Sequence, residues 1–306
     1  MANHAETTTS GETQFQLLEH QVAGHGGVLR VGEGKVVAKP LIQREQEFYE
    51  ASAQCDKFKA FIPEYYGTLQ QQDGVADDGG SSTVDSSYIC LENLADGYEK
   101  PCILDVKIGT RIHDIDASPE KVAKMLGKAQ ETTTGSLGVR ICGMSVQGTT
   151  GQARDWFAKL TVETIRDAFA MYFSAAESMV STEYRRFVIR QFILEVEELA
   201  AVIRSVETRM YASSLLFVYD ASKARYEQFV SGAPCDNKSD CNDNEDDEDS
   251  EEDEGRDGLL DVKAIDFAHS HWVPGQGCDE LYLFGLEKLV EILRGLIVEE
   301  PAASGE

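Results

Sequence analysis

The sequence predicts an α+β fold of two lobes, a β-rich N-terminal lobe over residues 1–94 and a larger α/β C-terminal lobe over residues 95–306. Three observations carry this. Short apolar segments bounded by Gly, Pro and polar turns fill the chain up to Lys107. The apolar spacing lengthens to a helical period from Ser118, and one further pair of strand-like segments follows Ser213. With 306 residues, 42% of them hydrophobic, the chain can bury a substantial core.

The elements follow in order. Gly27-Val-Leu-Arg-Val-Gly32 and Lys35-Val-Val-Ala-Lys39 read as two short strands around the Gly32-Glu-Gly34 turn. Pro40 ends the second, and Glu45 to Phe58 reads as a helix. Phe61 to Leu69 and Tyr88 to Leu91 supply two more strands, separated by a polar surface loop over residues 70–87, and Pro101 to Lys107 supplies another. Ser118-Pro119-Glu120 is an N-cap with proline at the first helical position, which predicts a helix through Lys128. Leu160 to Phe173 and Tyr184 to Tyr211 are helical. The second carries Phe187, Phe192, Val196, Leu199, Ile203, Val206 and Met210 on one stripe, which reads as core. Ser214 to Tyr219 and Leu260 to Phe267 then form a hairpin, and Asp279 to Val298 is a helix rich in Leu and Ile. This succession is a kinase-like layout.

The net charge of −26 is unevenly distributed. Residues 236–257 hold thirteen acids against Lys238 and Arg256 and supply −11 of it. What remains is still acidic, which argues against direct nucleic-acid contact. The run has almost no apolar residues and reads as a solvated, disordered insertion within the late hairpin. It offers a contact for basic protein partners, a phosphorylation site for an acidophilic kinase at Ser250, or a solvated loop with no specific task. Seven cysteines, odd in number and without a C-x-x-C pair, predict reduced thiols. The N-terminus is polar, with no secretory pattern, and no stretch is long enough to span a bilayer, so a soluble intracellular protein is expected.

The chemistry concentrates in Pro101-Cys-Ile-Leu-Asp105-Val-Lys107-Ile-Gly109-Thr-Arg111 and in Ile265-Asp266-Phe267-Ala268-His269. Asp105 and Lys107 are two apart and project from one face of a strand. An acid and an ammonium side by side suit a phosphate-rich site, and Asp266 is a candidate metal ligand, resembling the Asp-Phe-Gly of protein kinases. Phosphoryl transfer also needs a cation on the nucleotide phosphates, which Lys39 offers at a strand end. Glu45, Glu47 and Glu50 are candidate partners for Lys39, Glu47 foremost. Leu91-Glu92-Asn93-Leu94 lies where a hinge would offer backbone groups to adenine. Lys121, Lys124 and Lys128 share one helix face and, with Lys107 and Arg111, form a cationic strip suited to a polyanion, or else a plain solvated basic face. G-x-x-x-x-G-K-[ST], G-x-G-x-x-G, His-Arg-Asp and zinc-ligand spacings are all absent, which excludes P-loop enzymes and ordinary protein kinases.

Pro101-x-x-x-Asp105-x-Lys107-x-Gly109 resembles the P-x-x-x-D-x-K-x-G signature of the inositol polyphosphate kinase family. Ser213-Ser-Leu-Leu216 resembles that family's S-S-L-L segment, and Ile265-Asp-Phe-Ala-His269 its late metal-binding motif. The motifs occur in the family's order, and the resemblance spans Gln21 to Leu296, strongest to the multikinases and to plant-type ones above all. It implies the inositol polyphosphate kinase / SAICAR-synthase-like fold and a kinase using ATP and Mg²⁺. The implied products run from inositol 1,4,5-trisphosphate and tetrakisphosphates towards pentakisphosphate. By resemblance, Lys39 binds ATP phosphates, Glu92 and Leu94 form the hinge, and Asp105 binds the ribose. Lys107 touches both the transferred phosphoryl group and the inositol phosphate. Asp266 is the metal ligand, with Ser214 a second contributor. Lys121, Lys124, Lys128 and His269 bind inositol phosphates, and His269 alternatively assists acceptor deprotonation. Alternatives are an inositol hexakisphosphate kinase, a strict trisphosphate 3-kinase, or a nuclear scaffold acting through its acidic segment. A monomer in nucleus and cytoplasm is expected.

Overall fold

The computed structural model describes residues 15–17, 28–32, 34–72, 85–146, 149–150, 154–232 and 258–298. Five strands open the chain: β1 (Phe15–Leu17), β2 (Leu29–Val31), β3 (Val36–Pro40), β4 (Tyr65–Gln72) and β5 (Asp85–Glu92). They form one antiparallel sheet in the order β1-β2-β3-β5-β4. Helices α1 (Gln43–Ser52) and α2 (Asp56–Lys59) connect β3 to β4. The single helix expected over residues 45–58 is thus two, broken at Ala53–Cys55. The strand expected from Phe61 starts only at Tyr65, past Pro63. The polar loop expected over residues 70–87 is shorter at both ends, because the β4–β5 ladder runs out to the pair Gln72–Asp85; residues 73–84 lie outside the described residues.

The second sheet has the order β11-β10-β6-β7-β8. Its strands are β6 (Pro101–Ile108), β7 (Val139–Val146), β8 (Thr149–Thr150), β10 (Ser214–Asp220) and β11 (Leu260–Ile265). Around it lie α3 (Pro119–Gln130), α4 (Thr133–Leu137), α5 (Arg154–Phe157), α6 (Ile165–Met179), α7 (Thr182–Ser205), α8 (Lys223–Ser231) and α9 (Glu280–Val298). A two-stranded ladder pairs β9 (Thr208–Met210) with β12 (Ser270–Trp272). The hairpin expected from Ser214 and Leu260 is the antiparallel β10–β11 pair, with α8 in its connection. Residues 236–257, the acidic run, lie outside the described residues.

Local chemistry sets the helix ends. Ser118 caps α3, its hydroxyl accepting from Lys121 N at 3.3 Å with Pro119 at the first position, and Ser181 caps α7 through Tyr184 N at 3.1 Å. The stripe expected to run unbroken to Tyr211 leaves the helix at Ser205. Val206 and Met210 are buried, but Met210 belongs to β9.

Strand β6 sits between β10 and β7, so both of its hydrogen-bonding edges are paired. Cys102, Leu104, Val106 and Ile108 turn into the core beneath the helices. There Tyr172 of α6 places its hydroxyl 3.0 Å from Cys102 O and 3.1 Å from Phe217 O, tying α6 to two neighbouring strands. Helix α7 packs against α6 and α9. No described helix is long and apolar enough to cross a membrane.

Helix α9 approaches the sheet at backbone distance. Gly109, with φ +91°, donates its N–H to Gly138 O at 2.8 Å. A Cβ placed on Gly285 would lie 2.5 Å from that oxygen and 2.7 Å from Gly109 N. Backbone cannot retreat as a flexible side chain can, so α9 itself must shift. Gly285→Ala is therefore expected to destabilise the protein by about 1–3 kcal/mol, the range for overpacking a close contact. Urea midpoints of the two proteins test this, and an unchanged midpoint refutes it.

Candidate active site

The two sheets meet over a cleft of about 740 Å³. Alternation along β6 sends Ile103, Asp105 and Lys107 into it, opposite to the core-facing set. Cross-strand register then aligns the sequence motifs. Lys107 pairs with Ser214 on β10, and Ser214 pairs with Ile265 on β11, so Asp266 emerges beside Lys107. Among the described residues two non-glycines have positive φ, Ala212 (+55°) and Asp266 (+66°), and both line this cleft. Backbone strain of this kind persists where the surroundings over-determine it. Here it has a visible result: Ala212 O accepts from Lys107 Nζ at 2.6 Å, while Ser214 Oγ lies 3.4 Å from the same ammonium.

Asp266 is the meeting point of the sheets. Its Oδ1 is 2.6 Å from Lys39 Nζ, delivered by β3 of the first sheet, and its Oδ2 is 4.0 Å from Lys107 Nζ. Lys39 also donates to Glu45 Oε1 at 2.9 Å, and the same oxygen accepts from Phe267 N at 3.1 Å. Burial opposes the charge on Lys39, yet Asp266 and Glu45 outweigh it and hold its pKa above the ordinary value. Glu47, the favoured partner on sequence, is exposed and accepts from Gln43 Nε2 instead. The signal was present: Glu45 falls on the same α1 face as buried Phe48, Tyr49 and Ser52, at i, i+3, i+4 and i+7. Phe267 locks the arrangement, its ring 4.6 Å from Phe48 and 5.1 Å from Tyr49.

Asp105 is 4% exposed, and its Oδ1 is buried without a hydrogen-bond partner. Burial pushes its pKa up to about 6, against the pull of Lys107 and the Ser214 hydroxyl. A buried acceptor left open is expensive unless something else satisfies it. At the hinge, β5 ends in Glu92, whose N–H donates to Glu64 O at 2.9 Å and whose carboxylate accepts from Glu64 N at 3.2 Å. Asn93 N–H donates to Lys35 O at 2.9 Å, and Leu94 packs with Ile103 and Val218. Val37, Leu91, Leu94, Ile103, Leu216 and Ile265 give the cleft an apolar lining at this end.

His269 lines the cleft as well, and beside it the structure reveals a group that sequence reasoning missed. Asp114, 3% exposed on the β6–α3 connection, lies 2.8 Å from His269 Nδ1 and 2.9 Å from His271 Nε2, and pairs with the Arg44 guanidinium. Burial alone would raise its pKa. The hydrogen bonds from His271, His269 and Ile115 N, with the charge of Arg44, instead bring it down to about 2. Because the folded pKa lies below the unfolded one, Asp114 contributes stability that is full above about pH 5 and lost as pH falls from about 4 towards 2. The loss is on the order of 2 kcal/mol. Urea unfolding at pH 5 and pH 3 should therefore show a steeper acid loss in the natural protein than in Asp114→Asn, and equal slopes refute it.

Lys121, Lys124 and Lys128 all sit exposed on α3 and do not line the cleft. Arg111 is committed locally, donating to His113 O and Asp114 O at 3.2 Å each and lying 4.1 Å above the Tyr211 ring.

A magnesium ion needs few protein ligands, since it keeps water and takes one or two carboxylates with substrate phosphates. Among the described residues no three His, Cys, Asp or Glu side chains are arranged to hold a metal ion by themselves, whereas Asp266, partly exposed at the cleft wall, fits that sparse demand; Ser214 is fully buried beneath it and does not line the cleft. Two sheets clamping a cleft, with two ammoniums converging on one carboxylate, define a nucleotide-dependent phosphotransferase of kinase-like architecture. The sequence profile of inositol polyphosphate kinases matches residues 88–294. The inositol polyphosphate multikinase of Saccharomyces cerevisiae is 30% identical, across 91% of this chain and 97% of that protein. Mouse inositol hexakisphosphate kinase 2 is 35% identical across 72% of this chain but only 50% of its own length. A crystal structure of the S. cerevisiae multikinase in complex with ADP and Mn²⁺ matches with a TM-score of 0.67 at 28% identity, covering 86% of this chain and 100% of that one. The chain belongs to the inositol polyphosphate kinase family, and it is a kinase.

Proposed function

We propose that this kinase uses Mg-ATP to phosphorylate inositol 1,4,5-trisphosphate and inositol tetrakisphosphates, through to pentakisphosphate. The observation that carries the reading is the convergence of Lys39, Lys107 and Asp266 at the joint between the sheets. The near-complete mutual coverage with the yeast multikinase supports the choice of substrates.

Within this reading Asp266 holds the metal, which when bound neutralises charge on the transferring phosphates. Lys39 takes phosphate oxygens of the nucleotide while Glu45 keeps its ammonium in place. The open Oδ1 of Asp105 accepts from a ribose hydroxyl, and the Glu92–Leu94 segment offers backbone groups to adenine above the apolar lining. Lys107 stands between nucleotide and acceptor, where a fixed ammonium favours the charge that develops during transfer. The exposed lysines of α3 bind acceptor phosphates, offsetting the repulsion between two polyanions, while His269 faces the acceptor from the cleft wall.

The test is Mg²⁺-dependent turnover of the purified protein on inositol 1,4,5-trisphosphate, with products resolved by anion-exchange chromatography. Tetrakisphosphate followed by pentakisphosphate is expected. A single tetrakisphosphate would point to a strict trisphosphate kinase. Pyrophosphate formed from inositol hexakisphosphate would favour the activity named for the mouse relative.

A further inference from the structure

Asp114 gathers groups from three separate elements. Its Oδ2 faces His269 Nδ1, in the turn before β12, and the Arg44 guanidinium of α1; its Oδ1 faces His271 Nε2 on β12 and Ile115 N–H at 2.6 Å. The surrounding charged and titratable groups are otherwise engaged. Asp116 takes the second Arg44 nitrogen at 3.1 Å, and His113 Nδ1 and Arg111 Nη2 both face Asp114 O. An ionised carboxylate can only accept, so each ring nitrogen facing it carries a proton. In neutral His269 this places the proton on Nδ1 and leaves the lone pair on Nε2, at the opposite edge of a ring that lines the cleft.

We propose that Asp114 is a positioning residue that holds His269 as its Nδ1–H tautomer and so presents Nε2 to the acceptor hydroxyl. This rests on the kinase reading above. As the hydroxyl oxygen attacks, the new O–P bond forms at the γ-phosphorus and the bond to the bridging oxygen breaks, its electron pair leaving with ADP. The hydroxyl proton passes to Nε2 and from there to solvent. Arg44 offsets the carboxylate charge, and His271 braces Asp114 from the other side, so the dyad holds one orientation. The geometry parallels the carboxylate–histidine pairs that orient an imidazole elsewhere in enzymology.

The experiment uses the full chain labelled with ¹⁵N-histidine, with His269→Gln identifying the His269 signals. Neutral His269 is expected as the Nδ1–H tautomer in the ligand-free protein, and Asp114→Asn is expected to abolish that preference. Kinetically, Asp114→Asn should lower kcat about 10- to 100-fold, the usual effect of removing such an orienting partner, with KM for ATP unchanged. In a His269→Gln background the same substitution should change kcat no further. An Nε2–H tautomer in the natural protein overturns the proposal. So does an additive loss in the double variant, which would mark Asp114 as merely structural. If Asp114→Asn does not fold, the tautomer of the natural protein still decides. Because the tautomer is read without substrate, an Nδ1–H ring in a protein that does not turn over inositol trisphosphate overturns the substrates proposed above and leaves the Asp114–His269 contact standing.

Discussion

Lys107→Ala is expected to lower kcat on inositol trisphosphate by a factor on the order of 10² to 10³, the loss seen when one fixed donor to a developing charge is removed. The ammonium is held in advance by Ala212 O at 2.6 Å and Ser214 Oγ at 3.4 Å, so it needs no reorganisation as the reaction proceeds. A second effect follows from its neighbour. Lys107 is the main influence holding down the pKa of buried Asp105. Without it Asp105 shifts further towards its neutral form, and KM for ATP should rise with the fall in kcat. The fold should persist, since Asp266 keeps Lys39 as a partner. Steady-state kinetics and a thermal melt on the same preparation check this, and near-normal turnover would remove Lys107 from the reaction.

Asp266→Asn should be nearly as severe, with a loss in kcat on the order of 10² or more, because the several kcal/mol of charge stabilisation by a metal depend on its ligand. Asparagine is the informative choice. Asp266 has φ +66°, a conformation that Asn adopts at less cost than Ala, so the substitution removes the charge with little added strain in the turn. Lys39 retains Glu45 at 2.9 Å. The loss should therefore appear as a raised Mg²⁺ requirement and slower turnover rather than as misfolding. Mg²⁺ titrations of activity, with a urea melt alongside, separate the two; unchanged metal dependence would mean that the ion sits elsewhere.

How much was legible in the chain follows from range. The β6 signature, the β10 and β11 segments and the Ser118 cap were readable because each depends on spacing within a few residues. Strand β7 was not. Cys142 and Gly143 interrupt its alternation at the point where its register with β6 shifts between Asp105 and Val106. The end of α7 was misplaced because the apolar stripe runs on into buried β9, and periodicity cannot tell a strand from one more turn over so short a run. Choosing Glu47 over Glu45 neglected which face of α1 carries the aromatics. Asp114 lay beyond such reasoning altogether: its histidine partners are 155 and 157 residues away. No local pattern marks it, and only the fold brings His269 and His271 to one carboxylate.

The direction of the late hairpin separates two properties of the chain. Strand β10 starts at Ser214 beside Lys107 and leaves the sheet after Asp220; β11 returns from Leu260 and ends at Ile265, next to Asp266. The connection that carries α8 and the acidic run thus leaves and re-enters the sheet at the end of the hairpin remote from Lys107 and Asp266. Along the strands that is about 20 Å, more than twice the distance over which physiological salt damps a charge, about 8 Å. Charge at those two strand ends is well screened from Lys107 and Asp266, whereas Asp220 lies next to Glu99 and Pro101 at the far end of the cleft. Length and charge of that segment can therefore drift, be modified or be replaced by a fused domain with little effect on the chemistry at the other end.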